Sequence, residues 1–191
     1  MNSGLRAREG FQIQFKPSPI AGCFVIGADI FPDERGFFAV QWIGEEFASH
    51  GITDVPVQSN FSFSKEAGTI RGMHYQHPPH EQAKLVRCTR GAIFDVVVDL
   101  RRSSSSYGAW FGQELTAENH LAMWVPVGCA HGFQTLTPET EVSYFVTAPY
   151  AKELEGGIRW DDPTLGIRWP RPVSYISERD RVLPFLMKKV S

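Results

Sequence analysis

Nowhere in this chain of 191 residues do 18 apolar residues run together, so no segment of it reads as a membrane-spanning helix. The opening stretch, Met1 to Phe11, carries Arg6 and Arg8 with no apolar core behind them, which is not the build of a secretory leader and predicts a soluble, cytoplasmic protein. Charge of one sign is not in excess either. Lys and Arg number 19 against 21 Asp and Glu, and the basic residues are scattered, so the stripe of a nucleic-acid binder is missing. A few placed arginines still suffice for a small anionic ligand. Cysteine is sparse: Cys23, Cys88 and Cys129 are odd in number, with neither a CxxC pair nor a metal-ligand spacing. Reduced, buried thiols are expected. Linkers, low-complexity blocks and internal repeats are absent as well, which predicts a single domain over 1–191.

Helical periodicity is the last thing in short supply. In its place Phe, Val, Ile and Trp recur in short runs punctuated by Gly and Pro, the pattern of an all-β domain. Strands are predicted at Cys23–Ile30, Phe37–Trp42, Val57–Phe63, Thr69–Gln76, Lys84–Arg90, Gly91–Leu100, Trp110–Leu115, Leu121–Val125, His131–Leu136 and Glu141–Thr147, with one short helix at Gly44–His50. The run Gly91–Leu100 is apolar on both parities, as a strand packed on two sides requires, and Val142–Val146 is similar. So many short strands fit a sandwich or jelly-roll barrel. After Pro149 the chain becomes loop-rich. This tail is expected to drape over the barrel, because Trp160, Trp169 and Tyr175 need partners to bury against.

Five residues far apart in sequence draw attention: His74, Lys84, His131, Tyr144 and Asp180. All but Asp180 fall within or beside predicted strands, so one barrel mouth can gather them, although each alone also reads as a hydrogen-bonded core residue. Histidines in a jelly roll raise the question of metal. Metal-binding cupins place His-x-His on one strand and a third histidine on a later one; here Gln76 stands where the second histidine belongs, and an amide is a poor transition-metal ligand. No metal is expected. His77 and His80 extend the spacing, but Pro78 and Pro79 between them point to a surface loop.

With these residues in place, the sequence resembles the sugar-nucleotide 3,5-epimerases of the dTDP-4-dehydrorhamnose type, from about Gly22 to Pro184. The runs that carry the resemblance are Asp33–Phe38, Gly68–Tyr75, Ala83–Cys88, Gly91–Val98, Leu115–Asn119, Pro126–Phe133, Arg159–Pro163 and Ser177–Asp180. It implies a homodimeric, cupin-like jelly roll that needs no cofactor and acts on a nucleoside-diphosphate 4-keto-6-deoxyhexose. It also implies roles: His74 as base with Asp180 as its dyad carboxylate, Tyr144 as acid, Lys84 as the active-site lysine and His131 as a second pocket histidine. Arg71 and Arg35 match the family's diphosphate-binding arginines, with Arg35 reaching in from the partner chain. Gln58, Asn60, Glu155 and Arg179 fall on ligand-contacting positions.

The chemistry accounts for these residue types without the family. A proton beside a ketone is acidic because the enolate spreads charge onto oxygen, so the site needs a base, a cation or donor for that oxygen, and an acid on the opposite face. Strict alternation sets Arg71 and His74 on opposite faces of a strand, and Gly72 between them suggests a bulge that re-aims one of them.

Two positions depart from the family at the nucleotide end, Val40 for a glutamate and Pro149 for an aromatic that stacks on the base, and Phe61 changes the pocket lining again. Tyr150, next to Pro149, is expected to take over the stacking. The alternatives are an epimerase acting at one centre only or on a sugar carrying another base, a metal-dependent cupin oxygenase, and a non-catalytic sugar-binding cupin.

Overall fold

A computed structural model describes residues 11–186 of the chain. The stretch from Met1 to Gly10, with most of the basic N-terminus considered above, lies outside the described residues. The element order is β1 (Ile13–Pro17), β2 (Phe24–Ala28), β3 (Ile30–Asp33), β4 (Gly36–Ala39), α1 (Gly44–Ser49), β5 (Gln58–Ser64), β6 (Thr69–Gln76), β7 (Lys84–Arg90), β8 (Ala92–Asp99), β9 (Trp110–Thr116), β10 (Ala122–Val125), β11 (Cys129–Thr135), β12 (Thr140–Val146), a 3-10 turn (Lys152–Leu154), β13 (Glu155–Gly157), β14 (Tyr175–Ile176) and α2 (Glu178–Arg181).

Two sheets face each other as a cupin-like jelly roll. One runs β1-β2-β10-β7-β12-β5, and the other runs β13-β6-β11-β8-β9, with β14 added in parallel beside β6. β3 and β4 form a separate hairpin. The period of two in each strand divides the apolar side chains between an inner and an outer face. Val86, Cys88, Met123, Val125 and Val142 from the first sheet meet Ile93, Val97, Leu115, Cys129 and Phe133 from the second, and this is the barrel interior.

Both outer faces are partly covered. α1 lays Phe47, fully buried, against Leu85 and Trp124 on the first sheet. The tail covers the second, where Ile158 and Leu165 cap Met73, Val96, Val98 and Ala130, and Trp169 packs at the margin. Its loops are tied by indole donors: Trp110 Nε1 donates to the Leu165 carbonyl and Trp169 Nε1 to the Trp160 carbonyl. β8 is therefore apolar on both parities for the expected reason, with Ile93 and Val97 turned inward and Val96 and Val98 under the tail.

Three expectations change. The predicted Cys23–Ile30 strand divides at Asp29 into β2 and the start of the β3–β4 hairpin. Tyr175 does not bury against the barrel but stands 61% exposed, because β14 pairs by its backbone and turns Ile176 inward instead. Phe61 does not line the cleft of its own chain. It lies between the inward-facing Asn60 and Ser62, so alternation turns it out, 76% exposed. The cysteines are free and buried, and burial pushes the thiols of Cys23 and Cys88 up to about 11 and that of Cys129 up to about 12, so all three stay protonated at neutral pH. Among the described residues, no helix is long and apolar enough to cross a membrane.

Candidate active site

One end of the barrel interior is polar because the same parity that fills the core delivers polar residues there. On β7, Val86 and Cys88 face inward, and two residues earlier so does Lys84. On β12, Val142 and Tyr144 share that face, and their partners across the ladder, Ser62 and Asn60 on β5, share it too. Opposite, Cys129 and Phe133 on β11 flank His131, and Ile93 and Val97 on β8 flank Asp95. The two sheets thus present different polar walls to one space.

That space is a cleft of about 510 Å³, lined among others by Arg71, His74, Lys84, His131, Tyr144 and Asp180. Tyr150, Glu155 and Arg179 stand along it as well. A smaller adjoining pocket of about 270 Å³ shares His74, Lys84, Tyr144, Tyr150 and Glu155 and adds Gln58, Asn60 and Gln82. Of the predicted site residues only Arg35 lies elsewhere in this chain, on the β3–β4 hairpin, 86% exposed and ion-paired with Asp33.

Arg71 and His74 reach the same cleft through an irregularity in β6. His74 pairs with His131 and Arg71 with Phe133, so three steps along β6 oppose two along β11, and the register shifts between them. Gly72 within this bulge has φ +121°, a conformation that favours glycine, and a Cβ there would meet the Gly132 Cα at 2.6 Å and the His131 carbonyl oxygen at 2.8 Å. The extra residue reverses the parity and brings Arg71 and His74 onto one wall. Arg71 is then held by donating from Nε to Ser64 Oγ (3.1 Å) and from its terminal nitrogen to the Phe63 carbonyl (2.8 Å).

The bulge also opens a place for Asp180. The free edge of β6 is occupied by β14 at Thr69 and Ile70 and by β13 at His74 to Gln76. Between these two short strands the Asp180 carboxylate accepts the Gly72 N–H at 3.2 Å and pairs with His74 Nε2 at 2.7 Å. α2 carries it there, and the Ser177 hydroxyl caps that helix by accepting the Asp180 N–H at 3.1 Å. Burial opposes the charged carboxylate, but the His74 imidazole, the Gly72 N–H and Arg179 together outweigh it and hold its pKa below the ordinary carboxylate value. An ionised carboxylate can only accept, so His74 carries a hydrogen on Nε2 and donates it to Asp180.

Lys84 is buried, and burial pushes its ammonium down to about 8, against the pull of Asp95 and Glu155. Its Nζ lies 3.5 Å from the His74 carbonyl oxygen. Burial likewise raises the Tyr144 phenol above its ordinary value, so Tyr144 keeps its proton at neutral pH. At the mouth Tyr150 donates its hydroxyl to Glu155 Oε2 at 2.9 Å, and Arg179 pairs with the other Glu155 oxygen.

No group of three or more His, Cys, Asp or Glu is disposed to hold a metal ion among the described residues. Gln76 turns its amide to the backbone of neighbouring loops, and His77 and His80 sit on an exposed loop with Pro78 and Pro79. One residue escaped the sequence reading. Asp95, fully buried, accepts from His131 Nε2 at 2.8 Å and makes a second histidine–carboxylate pair in the wall. Its signal was a carboxylate set between Ile93 and Val97 on the inward parity of a strand that is apolar but for Asp95 and Asp99. Ser62, Thr69, Phe133, Tyr175 and Ser177, which also line the cleft, carried no such mark.

The family model for dTDP-4-dehydrorhamnose 3,5-epimerase matches residues 17–188. The chain belongs to the dTDP-4-dehydrorhamnose 3,5-epimerase family. It is 46% identical over 180 residues to the dTDP-4-dehydrorhamnose 3,5-epimerase of Sinorhizobium fredii (strain NBRC 101917 / NGR234), covering 92% of this chain and 90% of that one. Among solved structures it is similar to the dTDP-4-dehydrorhamnose 3,5-epimerase of Bacillus anthracis str. Ames with TDP and PPi bound, at TM-score 0.87 and 40% identity over 92% of this chain and all of the other. The dTDP-6-deoxy-D-glucose-3,5-epimerase of Legionella pneumophila Philadelphia 1, in complex with dTDP-4-keto-L-rhamnose, matches at TM-score 0.86 and 37% identity, over 91% and 93% of the two chains. The protein is thus an enzyme, a sugar-nucleotide epimerase.

Proposed function

We propose that the protein inverts C3 and C5 of a nucleoside-diphosphate 4-keto-6-deoxyhexose, converting dTDP-4-dehydro-6-deoxy-D-glucose to dTDP-4-dehydro-L-rhamnose. The observation that carries this reading is the placement of His74 and Tyr144: one projects from each of the two facing sheets into a single cleft, and His74 Nε2 rests on Asp180 at 2.7 Å. His74 Nδ1 takes the proton from the carbon beside the ketone, and the electron pair of the broken C–H bond moves onto the keto oxygen as an enolate. Asp180 stabilises the imidazolium that results. The Lys84 ammonium stabilises the developing oxyanion. Tyr144 returns a proton to the carbon from the opposite side, and the ketone re-forms. Inversion follows from having base and acid on different walls; the imidazolium then releases its proton to solvent and the Tyr144 phenolate takes one from solvent, and two such rounds treat the two centres. The reaction is redox-neutral and needs no cofactor.

Arg71 and Arg179 grip the diphosphate, since guanidinium groups offer paired donors to phosphate oxygens. Glu155, His131, Gln58 and Asn60 line the sugar and nucleoside ends, with Tyr150 as the aromatic at the mouth. A homodimer is part of the proposal. Phe61 and Phe63 on the outer face of the edge strand β5, and separately Phe37 and Phe38 on the hairpin, are exposed apolar side chains that suit contact with a second copy. Such a pairing gives the exposed Arg35 a route to the partner's cleft. The proposed location is the cytoplasm.

The test is incubation with dTDP-4-keto-6-deoxyglucose in deuterated water, read by NMR. Deuterium at C3 and C5 is expected; deuterium at one centre makes the protein a single-centre epimerase, and none at either refutes the reading. In His74→Asn, exchange is expected to vanish while dTDP still binds. Surviving exchange would remove His74 from the role of base.

A further inference from the structure

The segment that carries Tyr150 is held in an unusual way. Between β12 and the 3-10 turn, four backbone polar groups of residues 148–151 find partners on three glutamine side chains. Gln82 Nε2 donates to the Ala148 carbonyl at 2.8 Å, and Gln58 Oε1 accepts the Tyr150 N–H at 3.3 Å. Gln76 does the most. Its Nε2 donates to the Pro149 carbonyl at 3.2 Å and to the His80 carbonyl at 2.6 Å, and its Oε1 accepts the Ala151 N–H at 2.7 Å.

Gln76 is 5% exposed, so its amide is itself shielded from water, while the groups it bonds belong to the exposed His80 and Pro149 and the half-buried Ala151. A primary amide has two donors and one acceptor oxygen, and all three engage here. The assignment has one sense only. Turning the amide over would set its NH2 against an N–H and its oxygen against two carbonyls. A carboxylate at this position would face two carbonyl oxygens without a donor, and a hydrocarbon would leave three backbone groups without the partner that holds the segment.

The two residues that Gln76 grips, Pro149 and Ala151, flank Tyr150. The far end of that ring is fixed as well, because its hydroxyl donates to Glu155, and Glu155 lies opposite Gln76 in the β13–β6 ladder. Tyr150 is therefore clamped at backbone and hydroxyl while its ring stays 52% exposed along the cleft. An aromatic face fixed in advance binds a flat ring without the entropy loss of ordering a mobile one.

We infer that Gln76 is a positioning residue that sets the Tyr150 ring as the platform for the nucleoside base, and so governs nucleotide affinity without taking part in proton transfer. This rests on the function proposed above and deepens it at the nucleoside end. The position where a metal-binding cupin carries a ligand has here become a strut for base recognition.

The experiment compares wild type, Gln76→Leu, Gln76→Glu and Gln82→Leu by calorimetry with dTDP and with inorganic pyrophosphate, and by steady-state kinetics on the keto sugar. Gln76→Leu and Gln76→Glu are expected to weaken dTDP binding and raise KM about tenfold, the scale of one or two hydrogen bonds. Pyrophosphate affinity and kcat should stay within about twofold, since neither the arginines nor the proton-transfer groups lose a contact. Gln82→Leu should move the same quantities in the same direction by a smaller factor. Placed on Tyr150→Ala, Gln76→Leu should add less than about twofold to the loss of dTDP affinity, because residues acting through one platform are not additive. Equal loss of dTDP and pyrophosphate affinity, or a fall in kcat at unchanged dTDP affinity, overturns the inference. A wild-type chain with no dTDP affinity overturns the underlying function, whereas tight wild-type binding that persists unchanged in Gln76→Leu overturns only the role of Gln76.

Discussion

Replacing Lys84 by methionine should make the protein more stable and nearly inactive. Lys84 is 8% exposed, and its pKa falls from 10.5 to about 8 through burial, with Asp95 and Glu155 offsetting part of that cost. At about 1.4 kcal/mol for each tenfold change in proton affinity, this displacement makes the charged form about 3 kcal/mol less favourable in the fold than in the unfolded chain. Methionine has a similar length and no charge, so it removes the penalty without opening a cavity. Some of the gain is given back, because Asp95 loses the attraction of a nearby cation and its Oδ2 has no hydrogen-bond partner. A net gain of about 1–3 kcal/mol at pH 7 is expected, within the range seen when buried ionic groups are exchanged for apolar ones.

The pH dependence has a defined sign. The folded pKa lies below the unfolded one, so between about 8 and 10.5 the unfolded chain holds more protons than the folded chain. The wild-type penalty is complete below about pH 8, shrinks as pH rises, and is gone above about 10.5. Denaturant unfolding of wild type and Lys84→Met across this range should show a gap that closes with increasing pH, and other titrating groups cancel in the difference. In activity, Lys84→Met should lose about a hundredfold or more in kcat, the scale of one removed oxyanion donor. Wild-type kcat/KM should decline on the alkaline side with an apparent pKa near 8. A destabilised Lys84→Met, or a stability gap independent of pH, would refute the reasoning.

Two further substitutions probe the frame around His74. Asp180→Asn keeps the shape but not the charge that stabilises the imidazolium, so kcat should fall about a hundredfold or more with little change in dTDP affinity, as single-turnover kinetics and calorimetry would show. Gly72→Ala places a Cβ at 2.6 Å from the Gly132 Cα at φ +121°, so thermal unfolding should report a loss of about 2 kcal/mol or more, and activity should fall as Arg71, His74 and Asp180 lose their shared geometry; a variant as stable as wild type would contradict the account of the bulge.

The all-β class and most strand positions were legible in the sequence because they follow from local pattern. β6 and β7 lie where alternation set them, and Gly44–Ser49 is the short helix expected there. The inward parity of Lys84, Tyr144 and His131 follows from the same period of two. The short strands β1, β13 and β14 were missed, since three to five residues, or two, give too little pattern to distinguish a strand from a loop. Their pairing depends on which edge is free.

Sequence by itself determined the residue types proposed for proton transfer, the apolar alternation that builds two sheets, and the unfitness of Gln76 as a metal ligand. Tertiary structure alone decided how they meet. Alternation set Arg71 and His74 on opposite faces, and only packing of β6 against β11 showed that a bulge at Gly72 brings them together. The separation of 106 positions between His74 and Asp180 carries no local signal of their contact, because it arises where β13 and β14 leave a gap on the edge of β6. Asp95 became a partner of His131 for a similar reason: pairing between β8 and β11 is a relation between strands, and a single strand's pattern does not contain it.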